Sequence, residues 1–130
     1  MLINHAFFRD YWQKKPLLLR NAVDLPEQNL DKEALFSLAG DENIESRLVV
    51  EHGERPWRVH FGPFTRSRLE TLPDSGWTIL FQDMDKHLPD VATLLQQFRG
   101  IPRWRIDDIM ISYAVDQGSV GPHTAEYDVF

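Results

Sequence analysis

Of the five histidines, His123 stands in the setting best suited to chemistry. It follows Gly118-Ser119-Val120-Gly121-Pro122, a stretch with two glycines and a proline, and precedes a segment carrying the carboxylates Glu126 and Asp128. An imidazole ligates metals through a neutral ring nitrogen and exchanges protons near neutral pH. A hydrogen-bonded structural role is also open to a histidine in a turn, and the residue types alone leave both readings standing. The other four histidines offer less. His5 and His52 lie in polar settings expected at the surface. His60 sits between Val59 and Phe61 on an expected strand, on the face turned from the core, and His87 precedes Leu88-Pro89 at a helix start. Ser112 and Tyr113 fall in an apolar strand, where a serine is expected to be buried and hydrogen-bonded to its neighbours. The chain has no cysteine, which excludes a thiolate metal site, a cysteine nucleophile and a disulfide framework.

At 130 residues the chain has the length of one domain or of a piece of a larger protein. A hydrophobic share of 42% excludes a disordered chain. No apolar run approaches the roughly 18 residues of a membrane span. Arg9, Asp10, Lys14 and Lys15 break up the start, so no signal peptide is read there and a cytoplasmic setting fits. Fourteen basic against twenty acidic residues leave a formal charge of −6. That balance argues against direct nucleic-acid binding, which needs clustered Lys and Arg, and favours a basic protein as partner. The same charge also serves simply to keep a protein soluble.

The elements that must position these residues follow from periodicity. Asn4 caps a first helix carrying Phe7, Phe8, Tyr11 and Trp12, which Pro16 ends. Leu17, Leu18 and Leu19 read as a short buried strand. Asn29 or Asp31 opens a second helix, with Leu35, Phe36 and Leu38 inward and Gly40 as its stop. Residues 47–51 and 57–61 alternate as strands joined around Gly53, and residues 77–81 form another. A third helix follows Pro89, with Val91, Leu94, Leu95 and Phe98 on one stripe and Gly100 at its end. The last third reads as β: residues 109–115, a turn at Asp116-Gln117-Gly118, then a strand over 120–130. The class is α+β. Tyr127-Asp128-Val129-Phe130 reads as a strand in progress, the pattern expected of a fragment.

Several blocks carry a resemblance. Tyr11-Trp12-Gln13-Lys14-Lys15-Pro16-Leu17 strongly resembles the opening of the Jumonji-C-type cupin proteins called ribosomal oxygenases, and so does Trp104-Arg105-Ile106-Asp107-Asp108-Ile109-Met110-Ile111-Ser112-Tyr113. Residues 118–130 resemble that family's metal-binding segment, and residues 82–89 the stretch before its preceding helix. The similarity runs in order from about Phe8 to Phe130. It implies a 2-oxoglutarate- and Fe(II)-dependent protein hydroxylase, whose bacterial members modify an arginine of a large-subunit ribosomal protein. It implies residues 1–100 as an N-terminal α+β module, and residues 101–130 as the first strands of an incomplete double-stranded β-helix.

The family holds iron with a His-x-Asp pair and a distant His, leaving positions open for cosubstrate and oxygen. By matching position His123 is the first ligand, and Ser112 with Tyr113 lies near the cosubstrate. The second ligand position is Ala125, whose methyl group cannot coordinate a metal. In a regular strand Glu126 and Asp128 face away from His123, because only residues i and i+2 share a face. Only a bulge at Ala125 would bring Glu126 round as a substitute ligand. No histidine follows His123. The chain is therefore expected to hold no cofactor tightly and to be inactive by itself. The alternative is a non-catalytic, protein-binding cupin-like module. An unfinished barrel also leaves strand edges open, so self-association or marginal stability is expected.

Overall fold

Runs of β-branched and aromatic residues form the strands, and short helices connect them. The computed structural model describes residues 3–26, 30–52 and 56–130. The expected turn residue Gly53 and the alternative cap Asn29 lie outside the described residues. Helix α1 (His5–Asp10) starts where the Asn4 side chain accepts from the Phe7 amide, at 3.0 Å. Helix α2 (Lys32–Ala39) starts in the same way at Asp31 and buries Leu35, Phe36 and Ala39. Strands β1 (Ser46–Val50) and β2 (Arg58–Phe61) follow, then helix α3 (Arg66–Glu70), capped by Thr65. Strand β3 (Trp77–Phe81) is buried along its whole length. Two one-turn helices, α4 (Met84–His87) and α5 (Pro89–Ala92), lead through 3₁₀ turns at Thr93–Phe98 and Arg103–Arg105 to strand β4 (Ile111–Ala114).

The described strands form one antiparallel sheet in the order β2-β1-β3-β4. Residues directly opposite in register share a face. Leu48, Ile79 and Tyr113 therefore stand in one row with His60, flanked by the row Ser46–Phe81–Ile111. This face joins Leu35, Phe36, Phe64, Leu69, Met84 and Val91 in the core. The second face carries Phe61, Arg47, Leu80 and Ser112 in one row and Val59, Val49, Thr78 and Ala114 in the next.

Five expectations are corrected. First, residues 17–19 are not a buried strand. They pair with no strand, and Leu18 is 75% exposed, because an apolar run becomes a strand only where a neighbour takes its backbone hydrogen bonds. Second, residues 120–130 form no strand and are largely exposed. Gly121 takes φ +75°, Pro122 lacks a donor, and no neighbouring strand is paired to the segment. Third, the helix after Pro89 stops at Ala92 and continues as 3₁₀. The Thr93 amide bonds back to Asp90 and Val91, and its hydroxyl to the Asp90 carbonyl at 2.6 Å. Fourth, His60 faces the core side of the sheet, since its register partner is Leu48, while Val59 and Phe61 take the second face. Fifth, the first helix is shorter than expected. It ends at Tyr11, and a turn with Gln13 at φ 55° carries the chain to Pro16.

The turn after β4 lies tight against the sheet. A Cβ on Gly118 would collide with the backbone carbonyl oxygen of Trp77, an atom that cannot swing away. Gly118→Ala is expected to cost about 1–3 kcal/mol, the range for overpacking a tight site, and to lower the melting temperature by several degrees. At Gly40 the nearest atom to an added Cβ is 3.5 Å away, so Gly40→Ala should melt close to the parent. Circular dichroism melts of the two variants make the comparison. Equal melting temperatures would refute it.

Candidate functional site

The segment carrying His123 leaves the sheet at Gly118, whose amide bonds the Val115 carbonyl at 2.9 Å. It then crosses to the end of the β1–β2 pair. There Ser119 Oγ donates to Glu51 Oε1 at 2.8 Å, and the Trp57 indole N–H donates to the same oxygen at 3.0 Å. Ser119 Oγ also accepts from the Gly121 amide at 3.1 Å. His123 Nδ1 lies 3.1 Å from the Gly121 carbonyl, so the ring closes a small turn on its own backbone. A protonated Nδ1 donating to that carbonyl would leave Nε2 as the free ring nitrogen.

The other residues marked by the sequence are spread out. Ser112 stands exposed on the second face of the sheet, opposite Leu80. Tyr113 stands on the core face, with its ring 5.8 Å from that of Trp77. Residues 112 and 113 thus point to opposite sides, as neighbours on a strand must. Glu126 is exposed, and Asp128 accepts from Gln13 Nε2 at 3.1 Å. No hydrogen bond joins His123 to Ser112, Tyr113, Glu126 or Asp128. Because residues 120–130 form no strand, strand parity does not decide where Glu126 points.

Among the described residues, two buried polar atoms on the second face have no hydrogen-bond partner: Thr78 Oγ1, and Arg47 Nε, which stands 3.9 Å from Glu45 Oε1 as an ion pair. The Arg47 guanidinium is held from its other end, with Nη2 donating to Gln82 Oε1 at 2.7 Å. The Ser112 hydroxyl, by contrast, is exposed on that face. The donor set around His123 does not suit a tightly held iron ion. It offers one imidazole, a methyl group at position 125, an Asp128 carboxylate that accepts from Gln13, and an exposed Glu126. Among the described residues no group of three or more His, Asp or Glu side chains gathers as a metal site. Of the other histidines, His60 has its pKa lowered, first by burial and then by Arg68 and Arg58.

Comparison with known proteins gives this arrangement a context. A family profile described as JmjC domain matches residues 93–130. The Haemophilus influenzae protein named "Probable ribosomal oxygenase" is 40% identical over 124 residues, covering 95% of this chain and 30% of its own length. The chain is homologous to the ribosomal oxygenases. The Escherichia coli ribosomal protein uL16 3-hydroxylase is 37% identical, again over 95% of this chain and 32% of that protein. The solved structure of YcfD, a ribosomal oxygenase from Escherichia coli, superposes with a TM-score of 0.80 at 36% identity, over 91% of this chain and 32% of that one. YcfD in complex with cobalt and 2-oxoglutarate superposes at 0.76. The chain spans about a third of the length of these ribosomal oxygenases, and its α+β fold is that of part of their structure.

Sequence reasoning missed Glu51 and Trp57. They lie 68 and 62 residues before Ser119. Nothing in local spacing marks residues that meet only through the sheet. The positive φ of Trp57 (56°), which turns the indole across the strand end, is likewise invisible to periodicity.

Proposed function

We propose that this chain is the N-terminal part of a 2-oxoglutarate- and Fe(II)-dependent protein hydroxylase of the ribosomal oxygenase type. Its substrate in this reading is an arginine side chain of a basic large-subunit ribosomal protein. The observation that carries the reading is identity of 37–40% over 124 residues to curated ribosomal oxygenases, together with the close superposition on YcfD. The net charge of −6 supports a basic protein partner and argues against direct binding to nucleic acid. Among the described residues no helix is long and apolar enough to cross a membrane. The site of action in this reading is the cytoplasm, where ribosomal proteins are made.

Within the chain, His123 is the first metal ligand and Ser112 the residue toward the cosubstrate. Tyr113, on the opposite face, supports that strand from the core side. Residues 1–100 form the N-terminal module and residues 101–130 begin the Jumonji-C part, with β4 already docked onto the sheet of the first module. Residues 1–130 alone do not turn over substrate, because Ala125 stands at the carboxylate position and the second histidine is absent. Exposed Phe61, Val59 and Ser112 on the second sheet face support self-association of the isolated chain. A second reading is favoured by Ala125 in particular: a protein-binding, non-catalytic relative of the ribosomal oxygenases.

Anaerobic Fe(II) titration by calorimetry separates these readings. The 130-residue chain should show no micromolar binding. A version extended by the downstream strands of the Haemophilus influenzae relative and carrying Ala125→Asp should bind Fe(II), lose it with His123→Ala, and consume 2-oxoglutarate. Micromolar binding by the present chain, abolished by His123→Ala, would show that Glu126 or Asp128 supplies the carboxylate. Failure of the extended chain to bind would favour the non-catalytic module.

A further inference from the structure

We propose that Glu51 and Trp57 are positioning residues for His123, acting as a clasp that fixes the 119–123 turn to the end of the β1–β2 pair. The proposal rests on the reading of His123 as the functional residue of this segment. Its evidence is geometric. One carboxylate oxygen, Glu51 Oε1, receives two donors: the Trp57 indole N–H at 3.0 Å and the Ser119 hydroxyl at 2.8 Å. Trp57 Nε1 also lies 3.3 Å from Ser119 Oγ, so the three side chains close a triangle. The same hydroxyl accepts from the Gly121 amide, and Gly121 presents its carbonyl to His123 Nδ1. A continuous path of polar contacts therefore runs from the end of β1 to the imidazole.

Packing supports the path. Gly121 lies flat against the indole: an added Cβ would stand 2.7 Å from Trp57 Cδ2 and 2.8 Å from Cγ, and its φ of +75° belongs to glycine. The turn is thus held from two sides, by hydrogen bonds at Ser119 and by ring contact at Gly121. Residues 122–130 have no strand pairing and are exposed, so the clasp is what joins His123 to the sheet from its N-terminal side. Hydrogen bonds to an ionised acceptor are the stronger kind, which suits a turn with little burial.

The variants separate the hydrogen bonds from the ring contact. Glu51→Gln keeps an acceptor oxygen at the same reach and should preserve the clasp. Glu51→Ala removes it. Trp57→Phe keeps the ring and removes the N–H donor. Gly121→Ala keeps every donor and drives a methyl group into the indole. The measurement is ¹⁵N relaxation on the 130-residue chain. In the parent and in Glu51→Gln the amides of residues 119–123 should show order parameters near about 0.85, and in Glu51→Ala and Gly121→Ala they should fall below about 0.6. Trp57→Phe should lie between. The Trp57 indole N–H resonance should move upfield in Glu51→Ala and stay near its place in Glu51→Gln. Amides of β3 should be unchanged throughout.

Unchanged order at 119–123 in Glu51→Ala overturns the proposal. So does a uniform loss of order that includes β3, since that is a general folding role. The Fe(II) titration of the extended chain tests the metal reading separately: if His123→Ala leaves that binding intact while the relaxation result holds, the clasp stands and the role of His123 as ligand falls.

Discussion

Trp77→Ala should lower the unfolding free energy of the chain by about 3–5 kcal/mol and move its urea midpoint far below that of the parent. Trp77 sits in the middle of the sheet order, on β3, and is 1% exposed. Its ring packs 5.8 Å from Tyr113, and its indole N–H donates to the Pro73 carbonyl at 2.6 Å. Truncation therefore removes a large buried ring and leaves a carbonyl without its donor. Replacing a buried tryptophan by alanine costs about 3–5 kcal/mol, and domains of this size have about 5–15 kcal/mol in total. Trp77→Phe keeps most of the ring volume and loses only the hydrogen bond, so it should remain folded with a lowered midpoint. Urea unfolding followed by far-UV circular dichroism measures both. A Trp77→Ala protein melting within a few degrees of the parent would refute the assignment of this residue as the centre of the core.

The second large effect belongs to Asp85. Its carboxylate is almost wholly buried, with the side chain 2% exposed, while its partner Arg103 is 57% exposed. One oxygen accepts from the Ile109 amide and the other from Arg103 Nη2, each at 2.9 Å. The Met84 amide donates to the Ile109 carbonyl, and the Asp83 amide to Asp108, so α4 and the approach to β4 are laced together. Arg103 in turn donates to the Ile106 carbonyl. Because Arg103 is largely solvated, the ion pair is screened, and the greater part of the stabilisation comes from the bond between the buried carboxylate and the half-buried Ile109 amide. Asp85→Ala should cost about 2–4 kcal/mol in urea unfolding. Asp85→Asn, which keeps an acceptor for Ile109, should cost less. An Ala variant within about 0.5 kcal/mol of the parent would show that the carboxylate is dispensable.

Where sequence and structure agree, the signal was local. Asn4 and Asp31 bond the amides three residues on, as capping residues do, and the two helix starts follow from that alone. Trp77–Phe81 forms at its expected bounds, because five consecutive β-formers between turn residues have few other options. Helices α3 and α4 were not foreseen. Each is about one turn long and too short for an apolar stripe to emerge, even with Thr65 present as a cap. The largest differences concern segments whose fate depends on a neighbour. Leu17–Leu19 and residues 120–130 have strand-like composition and no strand beside them. At the candidate site, the side chains that could do chemistry were legible by type. What holds the turn before His123 was not, since Glu51 and Trp57 meet Ser119 and Gly121 only once the sheet has formed.

The spatial order of the strands has a consequence for synthesis on the ribosome. Strands β1 and β2 are close in sequence and can pair as soon as both have emerged. Strand β3 then adds to the far side of β1. Its other side has no partner until β4 arrives, after residues 82–110, 29 in all. At roughly 5–20 residues per second, that interval lasts on the order of seconds. Throughout it, Trp77-Thr78-Ile79-Leu80-Phe81, with no charge and no proline, offers an open edge of the kind that recruits other chains. The nascent chain is thus most vulnerable to misassembly at a definable moment, between emergence of Phe81 and emergence of Ile111. Slow codons in that window would lengthen the exposure, and a trigger-type chaperone bound to the nascent chain would cover it.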